Sequence, residues 1–509
     1  MKLKSLLAAS ALGLAAMMPL TGWAKDLTVA VSANLTGLDP RIANDTLSQA
    51  SLRLVYQGLF GFDKDMKLIP LLAESYDAND DATEFTIKLR QGIKFHDGTD
   101  FNAEAVKVNI DTLRNPDNQL SRRSLVQMVK EVQVVDPYTV KLILSEPFGA
   151  MIASLAHPGA MMISPAALEK FGKDIDRNPV GTGPFVFKHW AADTFEVSRN
   201  DAYWKGAAKV DGVIIRSIPE SGARMAMLQT GEAQFVPTFP TELMKVVEAN
   251  PKLEIVTRPS IVEWYVGLNN MKKPFDNKLV RQALNYAVDK NAYCKIVYNG
   301  ACTPADSIIP ADLAFHVTAG EYPFDLAKAK ELLKEAGYEN GFETELWTSS
   351  NSTGSLRAAQ FLQQQLAQVN VKVNVLPLES GVAADKIWSI DKPEDATVQM
   401  YYGGWSASTG DADWGIRPLL LSESAPPSMF NVAYYSDKAV DEAIKGALGT
   451  ADPAKRAGFY ETAQKLAWDG APWIFLGVSD VISAQSKDLS GVYQLPDQGF
   501  LLEDAAFAE

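Results

Sequence analysis

The stretch QMYYGGWSASTGDADW, Gln399–Trp414, decides how the rest of the chain is read. Val398, Met400 and Tyr402 alternate with Gln399 and Tyr401, the period of a strand with one buried face. Gly403-Gly404 then reads as a break into a loop of small hydroxyls, two acids and two tryptophans. A strand ending in such a loop is how an α/β sheet offers a ligand site at the carboxyl end of its strands. An ordinary surface loop has the same local composition, so the flanks decide.

Upstream lies TSSNSTGSLRAAQFLQQQLAQVNVKVNVL, Thr348–Leu376. A Ser/Thr/Gly-rich loop leads into a helix with Leu356, Ala359, Leu362, Leu366 and Val369 on one face, then a strand alternating at Val371, Val373 and Val375. Arg357 falls near the start of that helix, where unpaired N–H groups and the dipole also favour an anion. The sequence leaves it open between a carboxylate-binding arginine and a solvent-facing one. Further upstream, Asp325 caps a helix stopped by Gly337, and Asp276 caps one with Val280, Ala283, Leu284, Ala287 and Val288 inward. Ser221–Thr230 is a helix ending at Gly231, and Val213–Ile218 is a strand.

Near the N-terminus, Asp26–Val31 alternates as a strand, followed by a polar loop and a helix over Leu47–Phe60 that starts at Asn44-Asp45-Thr46. Strand, loop, helix at both ends of the chain makes the fold class α/β. The part between Ala73 and Arg177 is richer in short strands, with a turn at His96-Asp97-Gly98 and a helix capped by Asn102. It reads as an inserted module.

The first residues are not part of this fold. Lys2 and Lys4, an apolar Leu6–Leu20 and the small residues around Ala24 form a secretory leader, residues 1–24, with cleavage after Ala24. No cysteine lies near that point, which argues for a released product rather than a lipid-anchored one. The 48 Lys and Arg lose Lys2 and Lys4 with the leader, leaving 46 against 62 acidic residues and a net charge of −16. Such a charge argues against nucleic acid and anionic membrane as partners. About 485 mature residues need two or three cores. The uncharged stretch Phe148–Leu168 is broken by Pro158, Gly159 and Pro165, and reads as buried helix and turn rather than a membrane span.

Cys294 and Cys302 are the only cysteines. Export allows them one disulfide, the alternative being two separate buried thiols. His96, His157, His189 and His316 show no metal-ligand spacing, and no cofactor is expected. Catalytic motifs fail in detail. Gly404-Trp405-Ser406-Ala407-Ser408 misses the last glycine of a nucleophile elbow, and Ser389-Ile390-Asp391-Lys392 lacks its companion motifs. An exported hydrolase therefore has only near-misses behind it.

Several stretches resemble one family, the periplasmic solute-binding proteins that deliver peptides and nickel chelates to ABC importers. They are IKFHDGTDFNAEAV (Ile93–Val106), NPVGTGPF (Asn178–Phe185), KPFDNKLVRQALNYAVDK (Lys273–Lys290), AKAKELLKEAGY (Ala327–Tyr338) and NVAYYS (Asn431–Ser436). Within it, ANDTLSQA (Ala43–Ala50), ISPAALEKFGKDI (Ile163–Ile175), LQTGEAQF (Leu228–Phe235) and GWSASTGDADW are most similar to its glutathione-binding branch. The resemblance implies two lobes hinged around a ligand cleft, with a strand-rich third domain inserted. Domain I would comprise residues 25–65, 178–279 and 477–509, domain II 66–177, and domain III 280–476. It implies a monomer without enzymatic activity that hands glutathione, or another peptide-like solute, to inner-membrane permease subunits. A periplasmic peptide-binding chaperone is the rival of a different class.

It also implies site residues. Arg357 would hold a ligand carboxylate, and Asn44 and Asp45 would contribute from the loop before the first helix. Trp405 would belong to the ligand loop. Three residues after it the family's dipeptide binders carry an acid that pairs the ligand ammonium, whereas this chain has Ser408. A hydroxyl does not replace a carboxylate opposite a desolvated ammonium. The ammonium would then need another acid, with Asp411 a candidate and a solvated turn the alternative reading of it.

Overall fold

The structure, a computed structural model, describes residues 25–191, 193–350 and 352–508. The expected leader, residues 1–24, lies outside the described residues. The chain opens with strand β1 (Leu27–Val31) and helix α1 (Thr46–Leu52). The inserted module follows, with strands β2 (Ala73–Ala78) and β3 (Glu84–Leu89), helix α2 (Ala103–Arg114), and strands β4 (Val129–Asp136) and β5 (Thr139–Leu144). The first lobe resumes with β6 (Phe185–Trp190), β7 (Thr194–Arg199), β8 (Gly212–Ser217), helix α3 (Ser221–Thr230) and β9 (Phe235–Val236).

A long strand β10 (Leu253–Leu268) then leads to helices α4 (Lys278–Tyr286) and α5 (Lys290–Val297), strand β11 (Cys302–Pro304) and helix α6 (Leu326–Glu335). Strand β12 (Phe342–Ser349), helix α7 (Thr353–Ala367), and strands β13 (Val371–Leu378) and β14 (Met400–Ser406) come next. Helices α8 (Ala412–Leu420) and α9 (Pro453–Gly470) precede the second long strand, β15 (Trp473–Ser486).

One sheet runs through both lobes in the order β13-β12-β14-β10-β15-β9-β1-β8-β7-β6, with β11 added on β15. Parallel pairs lie in each lobe, β1 with β8 and β12 with β13, as crossover helices require. Between them β10 and β15 pair antiparallel from Leu253↔Ser486 to Gly267↔Trp473, with register shifts at Pro259/Glu263 and Trp264/Tyr265. Bulges bend and twist a ladder locally, which suits a strand pair passing from one lobe into the other. The later half of β10 pairs with β14, Val262↔Ser406 to Leu268↔Met400, so residues after about Pro259 pack with the second lobe. That strand pair carries the sheet from one lobe into the other.

Each lobe has its own apolar core. Leu27, Val29, Tyr56, Phe185 and Phe195 fill the first, while Val266, Val280, Leu284, Leu362 and Ile474 fill the second. Burying an aliphatic side chain of this size contributes roughly 1.5–3 kcal/mol relative to leaving it exposed. The insertion forms a separate antiparallel sheet, β2-β3-β5-β4, yet its core (Phe85, Ile110, Leu142) is continuous with Trp414, Tyr460 and Trp473 of the second lobe. Gly149 makes the close approach: its N–H donates to Leu448 O, and a Cβ there would sit 2.2 Å from Thr450 O. Among the described residues, no helix is long and apolar enough to cross a membrane.

Four expectations change. The helix over 47–60 stops at Leu52 because the backbone beyond it pairs elsewhere: Leu54 O and Val55 O accept from Phe185 and Gly183, and Gln57 O from Met162. Asn277, not Asp276, caps α4, accepting from Leu279 N–H at 2.9 Å. Gly403-Gly404 does not break β14, which runs on to Ser406; the glycines make room for aromatic neighbours, a Cβ at Gly404 meeting the Trp264 ring at 3.0 Å. Asp411 is no solvated turn but the buried cap of α8. Cys294 and Cys302 are joined as a disulfide, sulfurs 2.07 Å apart, tying α5 to β11.

Candidate functional site

Where β10 and β15 pass between the lobes, a pocket of about 180 Å³ opens. The first lobe contributes Thr238, Phe239, Thr241, Gln494 and Gln498, and the second contributes Trp264, Tyr298 and Ala301. Ser479–Ile482 of β15 form its floor. The walls are held firmly. Trp264 Nε1 donates to Ser479 Oγ at 3.0 Å, and its ring stacks on Tyr402 at 5.5 Å between centroids. Thr238 has φ +51°, a costly conformation for a β-branched residue, and Gln494 fixes it twice: Oε1 accepts from its N–H, and Nε2 donates to its hydroxyl. Strain maintained by its surroundings is typical of ligand sites.

The loop between α5 and β11 supplies Tyr298 and Ala301, and the Cys294–Cys302 disulfide closes that loop. Asn299 Nδ2 reaches across to Thr241 Oγ1 at 2.8 Å. Arg357 stands beside it. Its helix α7 is capped by Ser352, which accepts from Ser355 N–H, and buries Ala359, Leu362 and Leu366. The opposite side sends the guanidinium toward the first lobe: Nη1 donates to Val297 O at 3.2 Å and Nη2 pairs with Glu242 Oε1 at 3.1 Å. Val297 and Glu242 each adjoin a pocket-lining residue, Tyr298 and Thr241. Arg357 thus bridges the lobes at the edge of the pocket, with a carboxylate on its fork, although its side chain remains 37% exposed.

Asp480, on the floor, carries the pocket's only acidic group among its lining residues. Burial pushes its carboxyl up from the ordinary value. On the opposite face of β10, Glu263 is fully buried in a smaller apolar cavity of about 10 Å³ with Trp405, Tyr265 and Trp473. Burial pushes that carboxyl well up, with Asp306 adding to it.

The other expected residues separate. Strand alternation puts Trp405 on the Glu263 face, away from the pocket, where its Nε1 donates to Trp414 O at 2.7 Å. Asp411 is matched by Arg456, Oδ1 and Oδ2 accepting at 2.7 and 2.9 Å, and it also caps α8 through Asp413 N–H. The charge of that carboxylate is thus already matched inside the protein by Arg456. Asp45 is likewise occupied, accepting from Ser48 N–H at 2.8 Å as the cap of α1 and from the Thr36 hydroxyl. Asn44 beside it is exposed, and Ser408 is half-buried with its N–H on Ser406 O. Of the expected ligand residues, the structure brings only Arg357 to the pocket edge. Thr238, Trp264, Asp480 and Gln494 lie far apart in sequence and were missed. One signal was available, an acid interrupting the apolar run WIFLGVSDVISA of β15.

Residues 67–426 match the family described as bacterial extracellular solute-binding proteins, family 5, middle. The chain belongs to that family. Among curated relatives of this solute-binding family, the glutathione-binding protein GsiB of Pectobacterium atrosepticum is 49% identical over 97% of each chain. GsiB of Escherichia coli strain K12 is 48% identical, over 95% of this chain and 94% of its own. Among solved structures, the ABC transporter-associated periplasmic binding protein DppA of Helicobacter pylori, in complex with peptide STSA, is 25% identical. It superposes with a TM-score of 0.80 over 95% of this chain and 98% of its own. The two-lobed architecture with its inserted sheet is therefore that of the family 5 solute-binding fold.

Proposed function

We propose that this chain is an extracytoplasmic binding protein that captures glutathione between its lobes and delivers it to the permease of an ABC importer. It performs no chemistry on that ligand. The observation that carries this reading is the pocket of about 180 Å³ walled by both lobes on the strand pair that joins them, with Arg357 at its edge. The near-half identity to proteins named for glutathione binding supplies the ligand.

The mechanism is a population shift. A ligand that touches both lobes only when they are closed favours that state by its differential affinity. Interlobe contacts already present, Arg357–Glu242 and Asn299–Thr241, define the closed geometry. Arg357 would exchange Glu242 for a ligand carboxylate, and Trp264 and Tyr298 would cover the ligand's apolar parts.

A thermal-shift series on the mature protein tests the ligand cheaply. Binding raises stability by RT ln(1 + [L]/Kd), about 2.7 kcal/mol at a hundredfold excess over Kd. Glutathione is expected to raise Tm well above the rise produced by Gly-Leu at equal concentration. A larger rise with Gly-Leu would leave only the broader peptide-binding reading.

A further inference from the structure

We propose that Asp480 is the carboxylate that receives the ligand's ammonium group, making the pocket selective for peptide-like solutes with a free amine. This rests on the pocket being the capture site named above. Three observations converge on Asp480.

The first is position. Asp480 lies on β15 opposite Pro259 of β10, next to the register shift, and is one of the residues lining the pocket floor. Its own N–H donates to Ala301 O at 2.9 Å, so the strand is held on that edge too and the carboxylate is presented from a fixed backbone. A preorganised acid loses little on ordering when a ligand arrives.

The second is the absence of a partner. Other acids of the chain are engaged: Glu242 with Arg357, Asp65 with Arg258, Asp411 with Arg456 and Asp413 with Arg417. Among the described residues, no ion pair or hydrogen bond reaches the Asp480 carboxylate, and no basic side chain lines the pocket. Burial disfavours its charged form with nothing to offset the cost. A cation brought by a ligand supplies the missing charge and gains a charge-assisted hydrogen bond.

The third is the surrounding surface. Trp264 and Tyr298 line the same pocket, and aromatic faces attract an ammonium further when water is excluded. Gln494, Gln498 and Thr241 offer neutral hydrogen-bonding groups that suit amide and carboxylate portions of a peptide-like ligand. Glu263, a buried acid without a partner, cannot serve: it is sealed on the opposite face of β10 among apolar side chains.

The test is calorimetric titration of ligand-stripped wild type and Asp480→Asn with glutathione and with its des-amino analogue, glutaryl-cysteinyl-glycine. Asp480→Asn is expected to weaken glutathione roughly tenfold to a hundredfold. The analogue should bind wild type weakly and be indifferent to the substitution. Unchanged glutathione affinity in Asp480→Asn overturns the proposal, and so does equal loss for both ligands, which would mark a structural role. Should wild type ignore glutathione, the ligand assignment fails by itself. Gly-Leu and its des-amino analogue then decide Asp480 by the same comparison.

Discussion

Replacing Arg357 by alanine removes a guanidinium that contacts Val297 O at 3.2 Å and Glu242 at 3.1 Å at the pocket edge. Truncating one partner of a buried, hydrogen-bonded charge pair costs 2–5 kcal/mol or more of affinity. Arg357 is 37% exposed, so solvent screening lowers that range, and ligand must also displace Glu242, an exchange worth at most about 1 kcal/mol. The net expectation for Arg357→Ala is a loss of about 1–3 kcal/mol, roughly fivefold to 150-fold in Kd. Glu242→Gln has the opposite sign: it removes the competing carboxylate and should tighten binding by up to about fivefold. Calorimetry on refolded, ligand-stripped protein reads both variants. Unchanged affinity in a folded Arg357→Ala protein would remove Arg357 from the site. Weaker binding by Glu242→Gln would make the pair a latch for the closed state rather than a competitor.

Three further outcomes are expected. Arg456→Leu strands the buried Asp411 carboxylate and should destabilise the fold by about 3–5 kcal/mol in urea unfolding, while ligand affinity of the folded fraction stays within about twofold. Cys294→Ser with Cys302→Ser frees a short loop, costing about 2–3 kcal/mol in the chain-entropy model, and should weaken ligand several-fold because Tyr298 and Ala301 lose their anchor. Burial and the nearby Arg122 and Arg53 hold His157 well below the usual histidine range, its Nδ1 accepting from Gly159 N–H. The unfolded chain therefore binds more protons below about pH 6.5, and this contribution to stability is complete above that pH and falls as pH drops toward 5. His157→Asn, which keeps an acceptor for Gly159, should flatten that limb of the urea-derived stability profile by up to about 1.4 kcal/mol per pH unit.

Local chemistry made much of the fold legible. The helix Ser221–Thr230 ends at Gly231 because that residue takes φ +79°, and Asp325 caps α6 through Lys328 N–H. Apolar spacing at Val280, Ala283 and Leu284 placed the buried face of α4. Misreadings came where tertiary contacts override local signals. Nothing near Leu54 indicates that its carbonyl belongs to Phe185, and Gly403-Gly404 resembles a turn until Trp264 is laid against it. The site was less legible for the same reason. Its walls come from segments near residues 240, 264, 300, 480 and 496, which only the sheet order brings together. Arg357 carries a local helix signal, whereas the engagement of Asp411 depends on Arg456, 45 residues away.

The central claim is that one glutathione closes the two lobes on the pocket at β10 and β15. Isothermal titration of glutathione into the refolded, ligand-stripped mature protein tests it most directly. Saturable one-to-one binding is expected, tighter than for Gly-Leu and weakened by Arg357→Ala. Absence of a binding isotherm for glutathione in folded protein, or glutathione binding weaker than Gly-Leu binding, would contradict it.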